Sequence, residues 1–175
     1  MLSMHRLSDR QRGRDRGLPE ALADRHHRAS AFDLALFTGA ARADLVRLSR
    51  KSERDGILTY VRQKIRTTAE VPITAELRAV IARTPDIAQV FLLTAFRKPF
   101  TAAGFGNFFA DAASAAGMTA RLHGLRKAFC AYWAEKGATT SQIAAMAGHL
   151  TLSEVERYTK DADRRRMVKL LVDGA

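Results

Sequence analysis

Apolar residues recur at helical spacing along most of the chain and alternate over one short stretch. The pattern predicts a mainly α fold with a small antiparallel β-sheet inserted early. Phe32, Leu34, Ala35, Leu36 and Phe37 make a buried helix that stops near Thr38-Gly39, and Leu45, Val46 and Leu48 mark a short second one. Ile57 to Gln63 is rich in β-branched and aromatic residues and reads as a strand, with Val71-Pro72-Ile73 as its hairpin partner. Thr74 is placed to N-cap a helix bearing Leu77, Val80 and Ile81 that ends before Thr84-Pro85. Val90 to Leu93 fits a third strand or a loop, and Thr101 opens an alanine-rich helix closed by Gly117.

The last third is helical and well punctuated. Leu125, Ala128, Phe129, Tyr132 and Trp133 share one helix face, and Gly137 stops that helix. Thr139 with Gln142, and Thr151 with Glu154, have capping-box spacing, so short helices are expected on both sides of Gly148-His149. Asp163 to Val172 is expected to form a separate short amphipathic helix, with Val168 and Leu171 as its apolar strip and Arg164 to Arg166 solvated or on phosphate. Residues 1–28 lack an apolar period and interleave arginines with acids; they read as a flexible or weakly helical arm ahead of one domain at 29–175.

Composition narrows the function classes. Lys and Arg number 29 against 18 Asp and Glu, a net charge of +11, which favours a polyanionic partner such as nucleic acid. Cys130 is the single cysteine, so neither an internal disulfide nor a cysteine-cluster metal site can form. No segment approaches the ~18 continuous apolar residues of a membrane span, and the N-terminus lacks the apolar core of a secretory signal. The expected setting is cytoplasmic.

The chemistry concentrates late in the chain. His123-Gly124-Leu125-Arg126 is an His-x-x-Arg at a helix start, Gly148-His149 follows a short helix, and Tyr158 stands nine residues beyond His149. Each alone is weak: an His-x-x-Arg is usually a chance pair on a helix surface, and a helical Tyr is usually core. Residues at i and i+3 share a helix face, so His123 and Arg126 can converge on one phosphate. Planar, permanently charged guanidinium groups suit the charge that gathers on a phosphodiester under attack. A phenol with a pKa near 10 needs nearby positive charge to act as a nucleophile.

In this order and spacing, His123, Arg126, Gly148-His149 and Tyr158 resemble the signature of the tyrosine recombinases, the phage-integrase type of DNA strand-exchange protein. Upstream, Phe37-Thr38-Gly39-Ala40-Ala41-Arg42-Ala43-Asp44-Leu45 is similar to that family's Thr-Gly-x-Arg-x-x-Glu/Asp-Leu segment. Gln63-Lys64 with Val71-Pro72-Ile73 is similar to its β-hairpin lysine and flank. The resemblance runs from about residue 30 to 165 and implies the family's DNA breaking-rejoining fold. It implies Tyr158 as the nucleophile of a 3′-phosphotyrosyl intermediate, Arg126, His123 and His149 around the scissile phosphate, and Lys64 as general acid to the leaving 5′-oxygen. Arg42, Arg121, Lys127 and Arg157 are then candidate DNA contacts. Double-stranded DNA and further recombinase subunits are the implied partners, with no membrane, no metal and no cofactor; the implied setting is a mobile element.

Two departures temper that expectation. The first motif's arginine belongs two residues after Gly39, where Ala41 stands, and Asp44-Leu45 holds the register, so Arg42 is one place late. One residue is about 100° of helical rotation, which aims Arg42 elsewhere. Loss of a comparable oxyanion donor slows other enzymes about 10²–10³-fold, so reduced cleavage is expected. Family members also carry a helical DNA-clamping domain ahead of the catalytic one, and here only the arm precedes residue 29. A catalytically inactive DNA-binding remnant is therefore the alternative. A helix-turn-helix regulator built on the helices around Gly148 leaves Lys64, Thr38-Gly39 and the Tyr158 spacing unexplained.

Overall fold

The computed structural model of the chain describes residues 20–84, 88–119, 121–148 and 151–173. Seven α-helices, a 3-10 turn (Arg50–Ser52) and a small sheet are found among them: α1 (Glu20–Thr38), α2 (Arg42–Leu45), β1 (Glu53–Arg54), β2 (Ile57–Val61), β3 (Thr68–Pro72), α3 (Ala75–Ala82), α4 (Ala102–Ala115), α5 (Leu122–Glu135), α6 (Thr140–Ala147) and α7 (Leu152–Asp173). The mainly α architecture with one antiparallel sheet is the one the apolar pattern predicts. Of the arm, residues 1–19 lie outside the described residues. From Glu20 the chain is already helical and runs unbroken through residue 28, since Glu-Ala-Leu-Ala-Asp-Arg consists mostly of good helix formers.

The sheet has the order β1-β2-β3, with both pairs antiparallel. Leu58 pairs with Val71 and Tyr60 with Ala69, and these four face the core while Ile57, Thr59 and Val61 face out. The third strand is β1 rather than Val90–Leu93, where the only pairing is an isolated bridge from Leu93 to Pro99. An overlooked signal foretold β1: Asp55-Gly56, a favoured two-residue hairpin pair, joins Arg54 to Ile57. Strand β2 also stops before Gln63. The Gln63 amide leaves the ladder to donate to the Asp44 carboxylate, so Lys64 stands in the β2–β3 loop instead of at a strand end.

Helix α5 is central, packing against α1, α6 and α7, while α6 covers β3 and α1 carries α3 and α4. Phe105, Phe129, Leu34, Leu45, Leu58, Leu77, Ile143 and Val155 are fully buried where these elements meet. Each such side chain contributes about 1.5–3 kcal/mol relative to exposure. Thr74, Thr101 and Thr139 cap α3, α4 and α6 as expected, Thr139 in a complete capping box with Gln142. The box expected for Thr151 involves the Glu154 side chain, outside the described residues.

The C-terminal segment corrects the sequence reading. No separate helix begins at Asp163; α7 is continuous from Leu152 to Asp173. The segment contains neither Gly nor Pro to stop it, and it is held along α5, where Arg165 pairs with Glu135 at 2.9 Å. Its end carries Met167, Val168, Leu171 and Val172 exposed to solvent.

Candidate active site

Helix α1 ends because Thr38 turns its hydroxyl back onto the Leu34 carbonyl (2.6 Å) and Gly39 adopts a left-handed conformation (φ +59°). A side chain at Gly39 would drive its Cβ to 2.5 Å from the Phe129 ring, so only glycine lets this turn rest on α5. That contact brings the Gly39 carbonyl to Arg126. Arg126 is 6% exposed on the core face of α5 and donates from Nη1 to Gly39 O and from Nη2 to Ala147 O, each at 2.6 Å. One guanidinium thus ties the end of α1 to the end of α6.

A second group of bonds anchors the β2–β3 loop to the same place. Asp44, buried on α2, accepts the Gln63 amide at 2.8 Å, and its other oxygen lies 3.8 Å from Arg62 Nε. The Gly148 carbonyl accepts from Arg62 Nη1 (2.9 Å) and from the Thr67 hydroxyl (2.7 Å). Gly148 is also left-handed (φ +61°), and a Cβ there would meet Arg62 Cδ at 2.7 Å. The exposed Lys64 is therefore carried on a loop fixed at both ends next to the Arg126 clamp.

One turn before Arg126, the exposed His123 faces α7. Its Nε2 lies 3.5 Å from the Tyr158 hydroxyl, a long contact, with the two rings nearly perpendicular and 6.0 Å apart. Lys127 Nζ stands 5.5 Å from the centre of the Tyr158 ring, within cation–π range. His123, Lys127 and the half-buried Tyr158 form one cluster, and Arg126 with Gly39, Ala147, Asp44 and the hairpin loop forms another. The i, i+3 spacing of His123 and Arg126 joins the two. His149 lies outside the described residues, directly after Gly148.

The remaining basic candidates are spread out. Arg121 is exposed ahead of α5, and Arg157 is exposed on α7 beside Tyr158. Arg42 lies along α4: a Cβ on Gly106 would be 2.7 Å from its Nη1. It lies against that helix while remaining exposed. Ala41, whose carbonyl accepts the Asp44 and Leu45 amides, caps α2 with no side-chain donor to offer.

Three participants escaped the sequence reading: Arg62, Thr67 and Tyr60. Arg62 continues the inward register of Leu58 and Tyr60, an arginine where alternation calls for an apolar residue, and that was the available signal. Tyr60 is 9% exposed, and its hydroxyl is buried with no hydrogen-bond partner among the described residues. Burial pushes its pKa far above the ordinary phenol range; nearby Arg126 and Arg62 pull it down and Asp44 pushes it up.

Residues 18–165 match the model of the phage integrase family. No curated protein matches the chain by sequence. Solved structures do share its fold. A lambda integrase dimer bound to a COC' core site superposes with a TM-score of 0.65 at 19% identity, over 79% of this chain and 53% of that one. The XerA recombinase gives 0.67 at 16% identity over 86% and 58%. The Tn1549 transposon integrase in complex with circular intermediate DNA gives 0.61 at 18% identity over 87% and 66%. The chain thus spans about half the length of the lambda integrase it matches.

Proposed function

We propose, because this chain belongs to the phage integrase family, that it is the catalytic domain of a site-specific recombinase that cuts and rejoins DNA through a phosphotyrosine. Tyr158 Oη attacks the phosphorus, the P–O5′ bond breaks, and the tyrosine stays linked to the 3′-phosphate. Lys64 protonates the leaving 5′-oxygen, and His123 takes the phenolic proton at Nε2. Attack by a 5′-hydroxyl on the phosphotyrosine then reverses the step, with no external energy source. Arg126 and His149 stabilise charge on the non-bridging oxygens. Lys127 holds the Tyr158 ring in place through its cation–π contact. The observation that carries this reading is the contact of Tyr158 with His123, one helical turn from the buried Arg126.

Double-stranded DNA is the proposed substrate and further copies of the recombinase the proposed partners. Arg42, Arg121 and Arg157 meet phosphates, and the exposed Met167, Val168, Leu171 and Val172 at the end of α7 meet a neighbouring subunit. Among the described residues no helix is long and apolar enough to cross a membrane.

A second reading, an inactive DNA-binding relative, is favoured by Ala41 and by the position of Arg42 along α4. Covalent capture on a nicked suicide duplex separates the two, using a cognate site or a clamp domain supplied in trans. The wild type is expected to give little adduct. Ala41→Arg raises the yield by restoring a bidentate donor, toward the ~10²–10³-fold that one oxyanion donor is worth. Adding Tyr158→Phe abolishes it. If Ala41→Arg has no effect while Arg42→Ala removes existing activity, Arg42 is the working arginine.

A further inference from the structure

The structure presents a second feature, remote in sequence from the catalytic cluster. Residues 94–98 form a tight hairpin: Thr94 N–H donates to Lys98 O and Arg97 N–H to Thr94 O, each at 2.8 Å, and Leu93 pairs with Pro99. Both ends are anchored. Phe91 and Leu92 are buried, with the Phe91 amide bonded to Leu48 O, and the Phe100 ring packs on Phe105 and Phe108 of α4. At the tip, Phe96 is 86% exposed, more than any other large apolar side chain described. Arg97 and Lys98 follow it, also exposed, with Arg97 in the left-handed region (φ +57°). That conformation is uncommon for a residue other than glycine, Asn or Asp, and the surrounding hydrogen bonds hold it.

An apolar wedge followed by two cations on a hydrogen-bonded hairpin matches the way proteins enter the DNA minor groove, where Phe, Leu or Met presses between base steps and Arg or Lys holds the adjacent backbone. A protein-docking patch calls for contiguous apolar surface. Here the exposed neighbours are Ala95, Arg97, Lys98 and Pro99 on a chain of net charge +11. The hairpin also leads directly into α4, the helix along which Arg42 lies. We infer that the 94–98 hairpin is a minor-groove contact for double-stranded DNA, with Phe96 as the apolar wedge and Arg97 and Lys98 on the flanking phosphates. The inference rests on the reading that this chain binds DNA.

The test is a duplex-binding titration over a range of salt concentrations with the full chain. Phe96→Ala should weaken binding about tenfold, the scale of one aromatic–base contact, with an unchanged salt slope because no charge is lost. Phe96→Leu should restore most of the affinity. Lys98→Ala should lower the salt slope by about one. Occupying the minor groove with a distamycin-class ligand should reduce wild-type affinity to the Phe96→Ala level. The melting temperature of Phe96→Ala should match the wild type, since the ring is in solvent. If the wild type binds and Phe96→Ala binds equally well, the hairpin assignment is wrong and the DNA-binding reading stands. If the wild type fails to bind any duplex at low salt, both fall. A change in oligomeric state by light scattering, without a change in DNA affinity, assigns the tip to a protein contact and overturns the inference.

Discussion

Replacing Arg126 by lysine tests the bridge it makes between two helix ends. The guanidinium bonds two backbone carbonyls from different helices, Gly39 and Ala147, inside the core. A lysine keeps the positive charge but is a single point donor without the fork that spans both acceptors. One carbonyl therefore loses its partner. A hydrogen bond from a charged group is worth about 1.5–3 kcal/mol net, so Arg126→Lys should destabilise the fold by that amount. For a domain of this size each kcal/mol shifts the midpoint by about 2–4 °C, giving a drop of about 3–12 °C. Thermal unfolding followed by circular dichroism measures it, and urea titration checks that the change is in midpoint and not in slope. Any reduced activity in this variant would combine misplacement of α1 and α6 with the change in the proposed phosphate ligand. Assaying well below the new midpoint excludes a contribution from unfolded protein. A variant that melts within about 1 °C of the wild type would refute the argument, because the two short bonds would then contribute nothing to holding those helix ends.

Tyr60→Phe removes a buried hydroxyl that has no partner among the described residues, and should leave the midpoint unchanged or slightly higher at neutral pH. Its pKa is raised above the ordinary 10 in the folded state, so its stabilising contribution is complete below pH 10 and lost as pH rises beyond it. The wild type should therefore lose stability above pH 10 more steeply than Tyr60→Phe, and identical alkaline profiles would exclude this. Asp44→Ala removes the acceptor of the Gln63 amide and the carboxylate facing Arg62. Amide exchange at residues 62–67 should accelerate about 5- to 150-fold, the scale of one such bond at about 1–3 kcal/mol; unchanged protection there shows that Asp44 does not anchor the loop carrying Lys64.

Much of the architecture was legible in local sequence because its determinants are local. The threonine caps of α3, α4 and α6 act within three residues, and the i, i+3, i+4 apolar spacing of α5 marks its buried face wherever the helix lies. The order of Thr38-Gly39, Lys64, His123, Arg126 and Tyr158 was enough to indicate the family. Other properties come from chain segments far apart in sequence. That Arg126 is a clamp as well as a candidate phosphate ligand depends on carbonyls 87 and 21 residues away, and carbonyl positions leave no mark in side-chain pattern. The sequence puts Arg42 one place after the motif position, and its lie beside Gly106, which has no side chain to block it, comes from the tertiary structure alone. The continuity of α7 likewise followed from packing on α5, which holds together a polar, arginine-rich stretch that its own amphipathicity does not explain. Residue types and their intervals determined which groups are available for chemistry; the meeting of α1, α5, α6 and the β2–β3 loop decided which of them also hold the site in shape, because burial and hydrogen-bond geometry exist only once those elements are in contact.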